Sequence, residues 1–359
     1  MSAVKLGAIA LGIPLALLLI DSHPLPSQAA TSEGIQLTPA AQLQAQSDDY
    51  LALIESGQQQ LDEQNFEAAL TIFEQAIEQA PSLPRAFVGK GESLYGLGQF
   101  AAAVEALSQA TALAPTYQYA WIWLGNAHDD NGQLDQALAA YATALEIDDT
   151  HPLPYYHRGI ALWYGDRAAE ATADFETLTA LAPDFSRGWM WLGRSLEDQA
   201  QYIDAIAAYD EALSLESNLP EALLGKGISL LALDRYNDSI AAFDRYIAEI
   251  PNFGGAWFYR GNGLFNVGRY PEALDSYDRS LALNPEREST WFNRGLLLAA
   301  MTRYDEAIES FNQVLAINPG NAEAQAKIQE IEEIGSEVIE SEAIESESEA
   351  IEQIEEIEP

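Results

Sequence analysis

Eight glycines, Gly57, Gly91, Gly125, Gly159, Gly193, Gly227, Gly261 and Gly295, stand 34 residues apart with no insertion between them. A fixed step of this length, kept over most of a chain, means that one supersecondary unit is copied and that each copy packs on its neighbours. Further positions hold the step. Four residues before each glycine stands a large apolar residue: Leu53, Phe87, Trp121, Tyr155, Trp189, Leu223, Trp257 or Trp291. Twelve after it comes a small one, from Ala69 and Ala103 through Ser239 to Ala307. Sixteen after it comes a ring or leucine: Phe73, Leu107, Tyr141, Phe175, Tyr209, Phe243, Tyr277 or Phe311. Proline closes most units, at Pro81, Pro115, Pro183, Pro251, Pro285 and Pro319, with Asp149 and Ser217 in its place twice.

Residues four apart share one face of an α-helix. The large residue and the glycine predict a first helix, and the small residue and the ring predict a second, antiparallel to it, with large meeting small across the pair. A glycine inside a helix costs about 1 kcal/mol relative to alanine, so eight at one register predict close approach between neighbouring helices. Gly98, Gly132 and Gly268 fall between the two helices, where a left-handed helix end suits a residue without a side chain.

From Ala120 the chain reads AWIWLGNAHDDNGQLDQALAAYATAL, and this period and pattern resemble the tetratricopeptide repeat, a helix-turn-helix unit of 34 residues. The resemblance covers Tyr50 to Asn321, eight contiguous units. It implies an all-α fold, a right-handed α-solenoid of eight hairpins whose first helices line a concave groove, and a non-enzymatic scaffold that holds a peptide segment or partner protein there. The fourth unit departs most from the pattern, with Ala168 where the others place an aromatic residue or leucine, which predicts a looser seam at that point.

The stretch GKGESLYGLG at 89–98 carries the glycines and lysine of a phosphate-cradling loop. Such a loop needs a preceding strand and a serine or threonine after the lysine, and here the next residue is Gly91. Gly91 belongs instead to the packing series, with Gly89, Gly96 and Gly98 in the same helix and at its end. GNGLFNVG from Gly261 fails the phosphate test for the same reason.

Other chemistry is equally thin. His128 sits three residues after Gly125, where other units carry Leu94, Leu162 and Leu196, and reads as packing. Asp129 and Asp130 with Asn131 and Gly132 lack the first acidic ligand and closing glutamate of a calcium loop. His151 and His157 lack zinc-site partners. No nucleophile stands with a base, so no enzyme, metal or cofactor is expected. With no cysteine, disulfides are excluded. A formal net charge of -39, from 56 acidic against 17 basic residues, excludes nucleic acid and anionic membrane surfaces and predicts protein or peptide partners that are neutral or basic.

The termini differ from the array. Lys5, an apolar run from Leu6 to Ile20, and small residues at Ser27, Ala29 and Ala30 predict a signal peptide over 1–29 and export to a periplasm or lumen. The rival is an uncleaved membrane anchor, although the run is short and broken by Pro14. Residues 30–49 read as a mobile linker in which Thr38 and Pro39 could start a short helix. Residues 322–335, with Ile328, Ile331 and Ile334 on one side, read as a capping helix. The tail 336–359 holds ten glutamates and no basic residue, and composition predicts disorder or an acidic strip that docks on a basic partner.

Recognition residues follow from geometry. Residues three before, one after and four after each glycine form a stripe offset from the buried one and are expected to face the groove. The stripe contains Ile122, Asn126 and Asp129; Tyr156, Ile160 and Trp163; Met190, Arg194 and Glu197; Phe258, Asn262 and Phe265; and Phe292 and Leu296. The family resemblance implies that Asn126 and Asn262 hold the backbone of a bound peptide. Arg194, the one basic residue of these rows, pairs either with a partner carboxylate or with Glu197 or Asp198. The residues three before each glycine are all apolar, so the lysine clamp that some relatives use for carboxyl-terminal tails is absent. Two functions fit: an exported scaffold that binds a partner segment, or a membrane-held organiser or spacer.

Overall fold

The computed structural model describes the backbone of residues 41–334 and the side chains from Tyr50 onward. The signal segment, the first part of the linker and the acidic tail 336–359 lie outside the described residues. Among the described residues all regular structure is helical, in 17 helices that fall into two compact blocks. The block ending at Leu215 contains five hairpins: α1 (Ala41–Asp62) with α2 (Phe66–Gln79), α3 (Pro84–Gly96) with α4 (Phe100–Leu113), α5 (Gln118–Asp130) with α6 (Leu134–Ile147), α7 (Pro152–Tyr164) with α8 (Ala168–Leu181), and α9 (Ser186–Asp198) with α10 (Tyr202–Leu215). The block beginning at Glu216 contains α11 (Pro220–Ala232) with α12 (Tyr236–Glu249), α13 (Gly254–Asn266) with α14 (Tyr270–Leu283), α15 (Glu288–Ala300) with α16 (Tyr304–Ile317), and then α17 over 322–334. None of these helices is long and apolar enough to cross a membrane.

Helix α1 begins at Ala41, so residues 41–49 of the expected linker are helical. AQLQAQSDDY contains neither glycine nor proline, and extending an existing helix through such residues is cheap compared with starting one.

The glycine series does what its spacing predicts. A methyl group on Gly125 would lie 2.4 Å from Tyr141 Cε1, one on Gly159 2.6 Å from Phe175 Cε1, and one on Gly295 2.7 Å from Phe311 Cε1. The same residue, sixteen positions on, faces each of the eight glycines. Phe73 rests on two of them, because added carbons on Gly57 and Gly89 would stand 2.7 and 2.2 Å from its Cζ. Glycine here admits a ring, or Leu107 in the second hairpin, at backbone distance, and these side chains are buried at the centre of the hairpins.

Each hairpin turns by one device. In the second, the N–H of Gly98 donates to Tyr95 O and that of Gln99 to Leu94 O, both at 2.8 Å, which satisfies carbonyls that the helix end leaves unpaired. The residue between is left-handed at every turn. Gly98, Gly132 and Gly268 take φ of +71°, +74° and +77°, and Gln64, Asp166, Ala200, Asp234 and Thr302 take 57–62° without the freedom of glycine. A side chain in this conformation costs roughly 1–2 kcal/mol. Ala200→Gly and Thr302→Gly are each expected to stabilise the protein by about 1 kcal/mol in thermal unfolding. No gain at either position would disprove the strain.

The closing proline has a partner. The indole N–H groups of Trp121, Trp189, Trp257 and Trp291 donate to the carbonyls of Pro115, Pro183, Pro251 and Pro285, six residues earlier, at 2.8–2.9 Å. The two units that lack the proline, at Asp149 and Ser217, carry Tyr155 and Leu223 in place of the tryptophan. In these four units the tryptophan four before the glycine ties the incoming loop to the helix; after Pro81 the position holds Phe87, which has no N–H to donate.

Neighbouring hairpins within a block are tied by charge as well as packing. Arg260 Nε donates to Asp244 and Arg294 Nε to Asp278, at 2.6 and 2.7 Å, each reaching back to the preceding second helix. The seam at Ala168 is not loose, contrary to expectation. Elsewhere the first residue of the second helix covers the end of the next first helix, as Phe66 covers Gly96 and Leu134 covers Gly165. At Ala168 hydrogen bonds replace that contact: Gln199 Nε2 donates to Thr172 Oγ1 at 2.7 Å, and Thr172 and Ser195 share one at 2.8 Å. At the far end, α17 lays Ala324, Ile328 and Ile331 against Phe311 and Val314.

Candidate functional site

Successive first helices of the first block, α3, α5, α7 and α9, border a partly open recess of about 40 Å³. Tyr95, Asn126, Asp129 and Asp130 line one side of it. Tyr141 from α6, Tyr156, His157, Ile160 and Tyr164 from α7, and Trp191 from α9 complete the lining. The site follows from register: residues one, four and five after each packing glycine rise on the same side of consecutive first helices.

Its electrostatics are those of a half-dry acidic hollow. Burial and the adjacent Asp130 charge push Asp129 up to about 6. Asp130 is also raised by burial, opposed by the hydrogen bond it accepts from the Tyr95 hydroxyl. Burial drives His157 down to about 4, so its ring, stacked against Tyr141 with centroids 6.4 Å apart, is neutral. Burial raises the Tyr164 hydroxyl, and Arg194 acts against that rise. Among the described residues no group of three or more His, Asp or Glu side chains is placed to hold a metal ion.

The structure gathers only part of the expected stripe. Asn126, Asp129, Tyr156 and Ile160 meet in the recess. Ile122, Trp163 and Met190, expected on the groove face, are core residues at 3%, 0% and 2% exposure, because successive first helices close over these positions. Arg194 lies with its guanidinium 4.6 Å from the Trp163 ring and 5.6 Å from that of Trp191, an intramolecular cation–π stack. Glu197 is buried and accepts from the Tyr209 hydroxyl at 2.8 Å. Asn126 and Asn262 are engaged internally: their Oδ1 atoms accept from Tyr141 at 2.8 Å and Tyr277 at 2.9 Å. Alanine at either would strand a tyrosine hydroxyl that is largely or wholly buried, so these asparagines hold the fold, whatever else they touch.

The second block's candidates are arranged separately. Phe258 is buried, with the Arg287 guanidinium 4.6 Å above it. Asn262 Oδ1 accepts a second bond, from Asn293 Nδ2 at 2.8 Å. Phe265 packs beside Tyr270, Phe292 meets Phe311 edge-on, and Leu296 joins the same apolar cluster, all three half-buried.

Sequence reasoning missed Tyr95, Tyr164 and Trp191 as site residues. It met Asp130 and His157 only as failed metal ligands. The available signal was the pair Asp129–Asp130, two carboxylates at a register where packing asks for none.

Models described as tetratricopeptide repeat match residues 88–152, 156–218 and 194–252 in one case and 261–332 in another. The chain belongs to the tetratricopeptide repeat family. No curated protein matches it. Among solved structures it is similar to a tetratricopeptide repeat protein from Parabacteroides merdae, 18% identical, covering 69% of this chain and 98% of that one at a TM-score of 0.50. It is also similar to the APC/C hetero-tetramer Cut9–Hcn1, 15% identical at a TM-score of 0.51, where the match covers 74% of this chain and 52%, about half, of that one. MamA from Desulfovibrio magneticus is 17% identical over 48% of this chain and 97% of its own, at a TM-score of 0.46. These likenesses are of fold alone.

Tetratricopeptide repeat proteins serve generally as scaffolds for protein–protein interaction. Within this array a carboxylate at the position of Asp129 is particular to few repeats. At the register of Asp129 the other repeats carry Leu61, Tyr95, Trp163, Glu197, Leu231, Phe265 and Ala299, so the framework itself does not demand a carboxylate there.

Proposed function

We propose that this protein is an exported, non-enzymatic scaffold whose first helices bind a neutral or basic segment of a partner protein, in the assembly of an envelope or lumenal complex. The observation that carries the reading is the recess. Four consecutive first helices leave polar and aromatic side chains around one hollow, including the carboxylates of Asp129 and of Asp130, the latter bonded to the Tyr95 hydroxyl. A net charge of -39 favours basic partners and repels nucleic acid. The signal-like segment at 1–29 supports export, and a mature N-terminus near Ala30 by mass spectrometry is the expected result. An intact Met1 would favour the membrane-held organiser.

The binding face is tested by footprinting. A second surface competes with it, the ridge of exposed Leu113, Leu181 and Leu215 along the ends of the second helices. Peptides selected from a displayed library should slow amide exchange in α3, α5, α7 and α9. Tyr164→Ala, at an exposed ring, should weaken the selected peptides about tenfold, equivalent to about 1.4 kcal/mol, with an unchanged melting temperature. Protection confined to the second-helix ridge would refute the assignment.

A further inference from the structure

The hollow between α3, α5, α7 and α9 has the composition of a cation site. We infer that it receives one basic side chain of the partner segment, the ammonium of a lysine or the guanidinium of an arginine, with Asp129 and Asp130 facing the charge and Tyr95, Tyr156, Tyr164 and Trp191 around it. This inference rests on the binding reading above and names what that face recognises.

Three observations support it. Asp129 and Asp130 are adjacent carboxylates, partly withdrawn from water, and no lysine or arginine lies among the residues lining the hollow. Desolvating two like charges without a counter-ion is unfavourable, and an incoming cation removes that penalty. The walls are aromatic, and a ring face attracts a cation by about 0.5–2 kcal/mol, more as water is excluded. Tyr164 is the exposed ring among them, whereas the Trp191 ring is stacked on Phe175 and lies under Arg194. Trp191, 3% exposed, has an indole N–H with no hydrogen-bond partner among the described residues, a donor for a backbone carbonyl of the partner segment beside the cation, which itself has no acceptor to offer.

The neighbouring titratable groups do not supply the missing charge. His157 on α7 is neutral above pH 4, and Tyr95 on α3, Tyr141 on α6 and Tyr164 on α7 have hydroxyls pushed up by burial. Arg194 on α9 stands over Trp163 and Trp191. Asp129 therefore governs the pH response. Its carboxyl, pushed up to about 6, must be ionised to hold a cation, so affinity is lost as pH falls through that value.

The test titrates the full chain, labelled with nitrogen-15, with N-acetyl-arginine amide, N-acetyl-lysine amide and N-acetyl-glutamine amide while the Trp191 indole signal is followed. The basic probes should give saturable shifts, with the glutamine probe at least about tenfold weaker, and binding should weaken about tenfold between pH 7.5 and 5. Asp129→Asn should abolish the preference for the basic probes. If that variant does not fold, Tyr164→Ala should reduce affinity for both basic probes by about fivefold. Equal shifts from glutamine, or an unaltered preference in Asp129→Asn, would overturn the inference. Selected peptides that protect the first helices but contain no basic residue would also overturn it, while leaving the binding reading intact. A saturable arginine site on a chain that selects no peptide would support the pocket and refute that reading.

Discussion

Gly125→Ala is expected to destabilise its hairpin by about 3 kcal/mol, the upper end of what overpacking a core usually costs. The added carbon would lie 2.4 Å from Tyr141 Cε1, and Tyr141 has nowhere to go: it is 1% exposed and its hydroxyl is fixed on Asn126. Alanine is the better helix former by about 1 kcal/mol, so propensity alone predicts the opposite sign. Two other glycines make the comparison decisive. Gly132→Ala meets nothing within 4 Å but sits at φ +74°, and should cost about 1 kcal/mol through backbone strain. Gly320→Ala has only Asn318 Oδ1 nearby, at 3.7 Å, and should be close to neutral. Because each hairpin contacts mainly its neighbours, the loss in Gly125→Ala should concentrate in α5 and α6 when followed by hydrogen exchange. Equal effects at all three glycines would refute the packing account.

Stability is expected to fall as pH rises from about 5 to 8, and Glu92→Gln to remove a large part of that fall. Glu92 lies on α3, buried and hydrogen-bonded with Tyr119. Burial pushes its carboxyl up to about 8, the Tyr119 hydrogen bond opposes this, and the Asp62 charge adds to it. The folded chain therefore keeps a proton that the unfolded chain releases near pH 4.5. Between those values the unfolded state binds fewer protons, so its free energy relative to the fold drops as pH rises, and the change levels off above pH 8. The effect is on the order of a few kcal/mol. The excess of negative charge bends the curve the same way, which is why the difference between wild type and Glu92→Gln is the informative quantity. Parallel melting curves for the two across this range would mean that Glu92 is ionised in the fold.

The fold was legible because its determinants are local and repeated. Gly57 through Gly295, the facing rings and the turn glycines all specify one hairpin, and eight copies average out any single exception. The site was less legible, for a physical reason. A stripe three, one and four positions from the glycine has one direction on an isolated helix, but in a stack the next helix covers part of it. Ile122, Met190 and Trp163 fall on the covered part, whereas Asp129 and Tyr156 reach the hollow. Asn126 and Asn262 looked like free amides because their partners, Tyr141 and Tyr277, stand fifteen residues away on the opposite helix. Glu92 gave no sign in the sequence, since only the neighbouring hairpins make its surroundings dry.

The tie between a tryptophan and the proline carbonyl six residues before it, present in four units, together with the side chain that meets a glycine sixteen residues earlier in all eight, sets two rulers along the chain. Removing a single residue between Pro115 and Trp121 would put the first ruler out of phase, and removing one between Gly125 and Tyr141 the second. Excising 34 residues would leave them in step on either side of the cut. Such a chain can lengthen or shorten in evolution by whole modules far more readily than by fractions of one, and melting curves for the two kinds of deletion would tell them apart.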